Sequence, residues 1–438
     1  MKNIAVIILA AGRSTRMKSK VPKALHPLCG RPMLGYVLDL VKAVGPAKVI
    51  AVLGYKHKEV KALLPAGVKI VLQKKFLGTA DAVKCVYPAL KNFRGTVLAL
   101  YADNPLLKEE TIKKLLKAHQ ENNSDATLLT ASVDKPDGYG RILRDKYCAI
   151  SGIVEDKDAD DFEKEIKEIN TGIACFKSNK LFAALRQVRP NNRKKEYYLT
   201  DVIGIIYKNG GLIDSVKIDD LNEALGINSR VDLARANKIK QRQINEELMK
   251  SGVTIVDPDS TFIGFGAKIG RDTTIYPFTV IEKNVKIGKR CSVGPFAHLR
   301  EGTSFDNDVL AGNFLEIVRS KLGAKTLIKH FSYIGDSRIG KSVNIGAGTV
   351  TANFDGKNKF ITVIKDNALI GSDTILVAPV KIGKNAITGA GSVVVKNASV
   401  PDNALVVGVP AKQVKLNPST RLRSLRVYTE RRRSIKKR

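Results

Sequence analysis

The sequence predicts two domains of different architecture, an α/β doubly wound domain followed by a parallel β-helix built of hexapeptide repeats. Up to about residue 225, short apolar runs alternate with helical patterns, which is typical of a sheet with helices on both faces. From about residue 254 onward, aliphatic side chains recur every six residues. We therefore expect a first domain over 1–228, a helical arm over 229–251, the β-helix over 252–415 and a basic C-terminal tail over 416–438.

Within the first domain, apolar runs predict strands and amphipathic segments predict helices. The predicted strands are Ile4–Leu9, Val49–Leu53, Val68–Leu72, Val97–Tyr101 and Ala126–Val133, and the predicted helices are Leu34–Ala43, Ala80–Leu90 and Glu109–Glu121. The segment from Ser229 to Ser251 has good helix formers, no proline and widely spaced apolar residues, so it predicts one long, mostly polar helix.

The six-residue period defines the second domain. The period runs without interruption through Ile263, Ile269, Ile275, Ile281, Ile287, Val293 and Leu299, and it returns at Ile364, Ile370, Leu376 and Ile382. It differs from the periods of a strand and of an α-helix, and it predicts a β-helix with one aliphatic side chain stacked per short strand. The repeat breaks at Ala352–Phe360, where we expect a loop outside the coil. Because a solenoid leaves flat faces and strand edges uncovered, we expect a homotrimer.

Charge and composition restrict the function classes. Lys and Arg outnumber Asp and Glu by 74 to 42, which gives a formal net charge of +32. The segment Arg421–Arg438 holds nine Lys or Arg and one Glu, so it contributes +8 of that charge. No set of aromatic residues accompanies the basic ones and Trp is absent, which disfavours nucleic-acid binding as the main role. No apolar run is long enough to span a membrane, and the five scattered cysteines predict a reducing, cytoplasmic setting without structural zinc.

The stretch Leu9–Lys23 predicts an anion site. It follows an apolar strand, begins with the small residues Ala10, Ala11 and Gly12, and continues with five cations that include Arg16 and Lys23. A small-residue loop leaving a strand presents backbone N–H groups to phosphates, and cations neutralise the charge that accumulates there. Asp103 lies two residues after the end of the predicted strand Val97–Tyr101. A carboxylate beside a phosphate loop suits Mg²⁺, although a lone Asp at such a place is more commonly a turn residue.

Taken together, the motifs LAAGRSTRM, LGTADA, YADNPL, GYGRI, VEDKDA, EINTGI and EYYLTD resemble a known family. It is the bacterial bifunctional N-acetylglucosamine-1-phosphate uridylyltransferase/glucosamine-1-phosphate N-acetyltransferase family, and the resemblance runs from about residue 1 to about residue 415. The resemblance implies a Rossmann-like nucleotidyltransferase domain and a left-handed β-helix. It also implies the substrates UTP and acetyl-CoA, Mg²⁺ as cofactor, and synthesis of UDP-N-acetylglucosamine.

In the first domain the resemblance implies a uridylyl site. Leu9, Ala10, Ala11, Gly12, Lys23, Gln73, Gly78 and Thr79 would bind the nucleotide, with Arg16 and Lys23 on the triphosphate. Tyr101, Gly140, Glu155, Asn170 and Asn228 would contact the amino sugar, and Asp103 with Asn228 would hold the metal. No covalent nucleophile is required by this chemistry.

In the second domain PFAHLREGT, GNFLEIV, KHFSYIGD and VNIGAGTVTANFDGKNK resemble the acetyltransferase half. His330 would be the general base, because a histidine side chain exchanges protons near neutral pH, and Glu316 would orient it. Arg300, Glu316, Tyr333, Asn344, Asn358 and Lys359 would form the substrate site, with Arg300 and Lys359 on the phosphate and Tyr333, Asn344 and Asn358 on the sugar. Asn353, Phe354, Ser372 and Ala390 would lie along acetyl-CoA.

Three positions depart from the family pattern in this half. Val318 stands where a lysine for the sugar phosphate is usual, with Arg319 next to it. Phe354 replaces a usual tyrosine, and the segment around Gly408 lacks an arginine usual at the coenzyme site. The departure at Val318 leaves one alternative open, a monofunctional sugar-1-phosphate nucleotidyltransferase with the β-helix as a trimerising scaffold. The basic tail Arg421–Arg438 leaves open a second, a protein that binds nucleic acid or another polyanion.

Overall fold

The structure, a computed structural model, describes residues 3–13 and 15–414 of the chain. The predicted basic tail, including Arg421–Arg438, lies outside the described residues. The chain divides into two compact units, the first ending at Lys240 and the second beginning at Gln241. This division falls inside the long polar helix that the sequence assigns to an arm.

The first unit is organised around a mixed β-sheet with helices packed on both faces. Its strands are β1 (Ile4–Ala10), β2 (Pro27–Leu28), β3 (Arg31–Pro32), β4 (Lys48–Leu53), β5 (Lys69–Leu72), β6 (Thr96–Tyr101), β7 (Ala126–Ser132), β8 (Gly140–Arg144), β9 (Ile150–Val154), β10 (Glu168–Lys177) and β11 (Ile213–Lys217). The helices are α1 (Met33–Val44), α2 (His57–Lys61), α3 (Thr79–Lys84), α4 (Tyr87–Leu90), α5 (Glu109–Glu121), α6 (Asp161–Lys164), α7 (Ser178–Leu185) and α8 (Asp201–Lys208), and the boundary between the two units lies within α9 (Arg230–Lys250). Short 3₁₀ turns cover Thr15–Met17, Lys23–Leu25 and Leu221–Ala224.

The strand order of the main sheet is β11-β7-β10-β6-β1-β4-β5. Strands β1, β4, β5 and β6 run parallel to one another. Of these, β1 and β6 consist almost entirely of apolar residues, because helices cover both faces of the sheet there. Strand β10 is antiparallel to both β6 and β7, which the apolar runs did not predict. The hairpin β8–β9 branches from β10.

Most predicted elements of this unit are confirmed, and one is wrong. The helix expected over Ala80–Leu90 is two short helices, α3 and α4. Pro88 lies at the start of α4 and cannot donate a backbone hydrogen bond to the preceding turn, so one continuous helix is unfavourable there.

The second unit is a parallel β-helix of three sheets. The first sheet contains β12 (Thr254–Ile255), β15 (Thr274–Ile275), β18 (Ser292–Val293), β21 (Leu310–Ala311), β24 (Leu327–Ile328), β27 (Asn344–Ile345), β30 (Leu369–Ile370), β33 (Ile387–Thr388), β36 (Leu405–Val407) and β37 (Lys412–Val414). The second contains β13 (Phe262–Ile263), β16 (Val280–Ile281), β19 (Ala297–Leu299), β22 (Leu315–Val318), β25 (Ser332–Gly335), β28 (Val350–Ala352), β31 (Ile375–Val377) and β34 (Val393–Val394). The third contains β14 (Lys268–Ile269), β17 (Lys286–Ile287), β20 (Ser304–Phe305), β23 (Lys321–Leu322), β26 (Ser337–Ile339), β29 (Thr362–Ile364), β32 (Val380–Ile382) and β35 (Ser399–Val400).

The aliphatic residues of the six-residue period stack inside the coil, as the repeat predicts. Ile263, Ile281 and Leu299, for example, follow one another in the second sheet and are buried. Burying each such side chain stabilises the folded state by roughly 2 kcal/mol. The expected loop at Ala352–Phe360 is present between β28 and β29. At the N-terminal end of the β-helix, Ile244 and Leu248 of α9 pack against its core.

Candidate functional site

A cavity of about 470 Å³ lies in the first unit at the carboxyl ends of β1 and β6. The two strands are parallel neighbours, with Leu9 opposite Tyr101, so the loops that follow them meet at the same edge. The lining includes all residues that the sequence assigns to nucleotide and metal, and Tyr101 from the sugar set: Leu9, Ala10, Ala11, Gly12, Arg16, Lys23, Gln73, Gly78, Thr79, Tyr101, Asp103 and Asn228.

Two cations and two oxygen donors form a cluster in this cavity. The ammonium of Lys23 contacts the Asp103 carboxylate and donates to Oδ1 of Asn228 at 3.0 Å. Nη2 of Arg16 donates to the same Asn228 oxygen at 2.9 Å. Residues more than two hundred positions apart in sequence therefore meet. Next to this cluster, Ile227 donates its backbone N–H to the Asp103 carbonyl at 3.0 Å, which holds the Asn228 segment beside Asp103.

The donor set of this cluster fits a hard divalent cation. The Asp103 and Asn228 oxygens already converge on one positive group, the Lys23 ammonium. Within residues 3–13 and 15–414, no group of three or more His, Cys, Asp and Glu side chains is placed to hold a metal. Mg²⁺ is usually bound by one or two protein oxygens with the remaining positions filled by water and substrate phosphates, so two donors are sufficient.

One wall of the cavity is a tightly packed turn. Gln73 is buried and donates from Nε2 to the Gly78 carbonyl at 3.0 Å and to the Asp81 carboxylate at 2.8 Å. Because a carboxylate only accepts, these bonds fix which end of the Gln73 amide is the NH₂ group. Gly78 has a φ of 120°, and a Cβ there would lie 2.4 Å from the Tyr197 carbonyl oxygen, so only glycine fits.

The residues assigned to the amino sugar lie around Tyr101. Gly140 and Asn170 are register partners between β8 and β10, and a Cβ on Gly172 would lie 3.1 Å from the Tyr101 ring. Burial raises the pKa of Tyr101, and the Glu155 carboxylate raises it further. Burial likewise raises the pKa of Glu155, whose Oε1 accepts a hydrogen bond from Thr200 at 3.0 Å.

Three residues in or next to the cavity, Phe76, Glu196 and Thr200, were given no role by the sequence analysis. The Phe76 ring centre lies 5.0 Å from the guanidinium of Arg13, one of the five cations of the predicted anion site, and both residues line the cavity. Glu196 also lines it, and Thr200 holds Glu155. The last two belong to the EYYLTD motif, to which we assigned no role; its position among the other matched motifs was a usable signal.

In the second unit, three of the proposed acetyl-site residues lie along one corner of the coil. His330 follows β24 and is exposed at the turn from the first sheet to the second. Ser372 and Ala390 occupy the corresponding exposed position after β30 and β33. Because adjacent strands of a sheet lie about 4.8 Å apart, the three coil steps from His330 to Ala390 span about 14 Å.

Two charged residues assigned to this site, Arg300 and Glu316, are paired with each other. Arg300 Nη1 donates to Glu316 Oε1 at 2.7 Å, and Glu316 lies opposite Tyr333 in the sheet. In this single chain the Glu316 carboxylate accepts from Arg300, and among the described residues it has no hydrogen bond to His330. That Glu316 orients His330 stays a prediction. Asn344 belongs to the first sheet, away from this row.

Of the three positions that depart from the family pattern, Val318 is buried and Phe354 and Gly408 are exposed. Next to Val318, Arg319 forms a two-pronged ion pair with Asp336, at 2.6 and 2.7 Å. This pair, with the contact from Asn353, lowers the pKa of Asp336. Phe354, Asn358 and Lys359 all lie in the loop that leaves the coil and are exposed. Gly408 follows β36 and is also exposed.

Comparisons with known proteins agree with this two-part arrangement. The MobA-like NTP transferase domain family matches residues 6–198, and the bacterial transferase hexapeptide family (six repeats) matches residues 266–301 and 361–396. None of the helices in the described part of the chain combines the length and apolar character needed to cross a bilayer.

Relatives of the whole chain share both parts. The bifunctional protein GlmU of Thermosipho africanus is 45% identical, and the alignment covers 93% of this chain and 95% of the relative. Those of Geobacillus sp. and Geobacillus thermodenitrificans are each 43% identical, over 93% and 95% of this chain and 95% and 98% of the relatives. The chain thus belongs to the family of bifunctional GlmU proteins.

Proposed function

We propose that the chain makes UDP-N-acetylglucosamine in two reactions at two sites. The β-helix transfers acetyl from acetyl-CoA to glucosamine-1-phosphate, and the α/β unit transfers uridylyl from UTP to N-acetylglucosamine-1-phosphate. The observation that carries the second reaction is the convergence of Lys23, Asp103 and Asn228 beside the Leu9–Gly12 loop.

Uridylyl transfer requires positioning and charge neutralisation more than bond-making by the protein. A phosphate oxygen of the sugar phosphate attacks the α-phosphorus of UTP, and pyrophosphate leaves with the electron pair of the broken P–O bond. Arg16 and Lys23 neutralise the triphosphate, and the backbone of Ala11 and Gly12 approaches it closely. Mg²⁺ held by Asp103 and Asn228 would supply further positive charge to the phosphate oxygens.

Base and sugar would lie on opposite sides of the phosphate loop. Gln73 uses its NH₂ group on Gly78 and Asp81, which directs its carbonyl oxygen to accept from an imide N–H such as that of uracil. On the sugar side, Glu155 is partly buried and held by Thr200, so its carboxylate can accept from a sugar hydroxyl without reorganisation. Gly140, Asn170 and Tyr101 complete that side.

Acetyl transfer would take place at the His330 corner. The amine of glucosamine-1-phosphate attacks the thioester carbonyl, His330 accepts the amine proton, and the CoA thiolate leaves as the C–S bond breaks. The roughly 14 Å from His330 to Ala390 along the corner would hold the extended arm of acetyl-CoA. Arg300 and Lys359 provide cations for the sugar phosphate.

A second copy of the chain would complete this site. Phe278, Phe296 and Phe314 stack in successive coils, with ring centres 5.1 and 5.0 Å apart, and each is about half exposed or more. Phe331, next to His330, occupies the same corner position one coil further and is 56% exposed. An exposed apolar ladder of this kind marks an association surface, and a copy packed on it would lie against His330. A homotrimer is the assembly we propose.

Two assays on the same preparation test the proposal. Purified chain should release pyrophosphate from UTP with N-acetylglucosamine-1-phosphate, and free thiol from acetyl-CoA with glucosamine-1-phosphate. Uridylyl transfer without any thiol release would refute the bifunctional proposal.

Uridylyl transfer without thiol release would favour the monofunctional alternative, which one structural observation supports. The position expected to carry a lysine is the buried Val318, and the neighbouring Arg319 is already paired with Asp336. Thiol release by the wild-type chain that Arg319→Ala leaves unchanged would show that Arg300 and Lys359 suffice for the sugar phosphate.

A further inference from the structure

One face of the β-helix carries a row of cations that neither proposed site uses. The outward residues of the third sheet are, in order, Lys268, Lys286, Ser304, Lys321, Arg338, Val363, Lys381 and Ser399. The five Lys and Arg of this row, here called the cationic face, are all exposed. Among the described residues, none of them has an ion pair or a side-chain hydrogen bond.

Of the outward rows of the three sheets, only that of the third sheet contains Lys or Arg. The corresponding outward row of the first sheet is Thr254, Thr274, Ser292, Leu310, Leu327, Asn344, Leu369, Ile387 and Leu405. That of the second sheet is Phe262, Val280, His298, Glu316, Tyr333, Val350, Ile375 and Val393. Neither row contains a Lys or Arg, so a general excess of basic residues does not account for the third.

The corner beside the cationic face extends the positive charge. The residues two positions after the core residue of each coil include Arg271, Lys289, Lys341 and Lys384. In two coils that position carries an acid instead: Asp366 accepts from the Lys341 backbone N–H at 2.9 Å, and Asp402 pairs with Lys365 at 3.1 Å.

Folding does not explain the row. Lys268 lies directly opposite Lys286, and Lys321 directly opposite Arg338, in adjacent parallel strands. Like charges in directly opposed positions of a sheet destabilise it. The arrangement therefore lowers the stability of the β-helix and indicates a partner that supplies negative charge.

We propose that the cationic face docks on the surface of an anionic lipid bilayer. The row is straight and rigid and, at about 4.8 Å per strand, extends over about 29 Å from Lys268 to Lys381. All five cations can therefore approach a plane together, whereas the phosphates of a nucleic-acid duplex turn away from a straight row. The face also offers no aromatic side chain on which the bases of a single strand could stack.

The affinity should follow the number of cations. A Lys or Arg near an anionic leaflet contributes about a fivefold increase in binding, and the attraction decreases as salt is raised. Lipid headgroup phosphates, rather than acyl chains, would be the recognised chemistry, because the row contains one apolar residue, Val363.

The test is co-sedimentation of the full-length chain with vesicles of phosphatidylcholine containing about one-third phosphatidylglycerol. The variant is K286Q/K321Q/R338Q, and the matched control is K58Q/K61Q/K91Q, which removes three exposed lysines of the first unit. We expect the face variant to bind about 100-fold more weakly and the control to change less than threefold. Pyrophosphate and thiol release should be unaffected in both variants, which establishes that they are folded.

Three outcomes would overturn the proposal. The two variants could weaken vesicle binding equally, which would assign binding to charge elsewhere in the chain. Wild-type chain could fail to sediment with anionic vesicles at low salt. Finally, the face variant could keep vesicle binding but lose fluorescence-anisotropy binding to a short single-stranded RNA, which would make nucleic acid the partner.

Discussion

The two proposed sites differ in how much of each lies inside one chain. In the α/β unit, residues from Leu9 to Asn228 converge on one cavity, where Lys23 bridges Asp103 and Asn228. In the β-helix, His330, Ser372 and Ala390 lie exposed along a corner, beside an uncovered ladder of phenylalanines. A doubly wound sheet encloses its ligand between loops, whereas a solenoid has only outer surfaces. We therefore expect the first site to be complete in a monomer and the second to require a neighbouring copy.

The largest effect should follow removal of the charge that anchors the first site. Asp103→Asn should lower uridylyl transfer by about a thousandfold, because one of two converging oxygen donors loses its charge, while acetyl transfer stays unchanged. Pyrophosphate release measures the effect, and Asp219→Asn, at an exposed carboxylate, is the control. Turnover within tenfold of wild type would contradict the metal role.

Removing the proposed base should affect only the other site. His330→Ala should reduce acetyl transfer by about 10²- to 10⁴-fold, because the amine proton loses its acceptor. Thiol release is the measurement, and His57→Ala in the first unit is the control. An equal decrease in uridylyl transfer would show that the two sites are not independent.

Disrupting the phenylalanine ladder should dissociate the oligomer and so lower acetyl transfer but not uridylyl transfer. Phe296→Ser with Phe314→Ser removes exposed apolar surface, so we expect a smaller oligomer by light scattering and at least tenfold lower thiol release. Phe162→Ser, at an exposed phenylalanine of the first unit, provides the control. An unchanged oligomer with the double variant would place the interface on another face.

The smallest effect concerns stability and is confined to the first unit. Burial, with the nearby Glu155 and Asp158 carboxylates, raises the pKa of Asp201 from 3.8 to about 6. The folded form then holds the proton more tightly, so this group lowers stability as pH rises from about 4 to 6. Asp201→Asn should raise the free energy of unfolding at pH 7 by about 1 kcal/mol, a figure discounted for partial exposure. The gain should vanish below pH 4 in calorimetry of that unit; a gain independent of pH would contradict the assignment.

The sequence predicts the β-helix better than the sheet of the first unit, because the β-helix follows from a local repeat and the sheet from pairing between distant strands. A six-residue period depends on neighbouring coils alone, so Ile263, Ile281 and Leu299 reveal the stacking directly. The antiparallel strand β10 depends on long-range pairing with β6 and β7, which a local apolar run cannot specify. Pro88, in contrast, was a local signal that should have divided the predicted helix Ala80–Leu90.

The same limit applies to side chains in the sites. Motif order was enough to gather the nucleotide loop, Gln73 and Asp103, because each follows a strand of one sheet. It could not show that Arg319 pairs with Asp336, or that Arg300 rather than His330 binds Glu316, since these pairs are decided by the stacking register between coils.

The most direct test of the contrast is to follow both activities in one sample during dilution. Pyrophosphate and thiol release would be measured from micromolar to low nanomolar chain, with mass photometry giving the oligomeric fraction at each step. We predict constant specific uridylyl activity, with acetyl activity falling in proportion to the oligomer. Full acetyl activity in dissociated monomers would contradict the account.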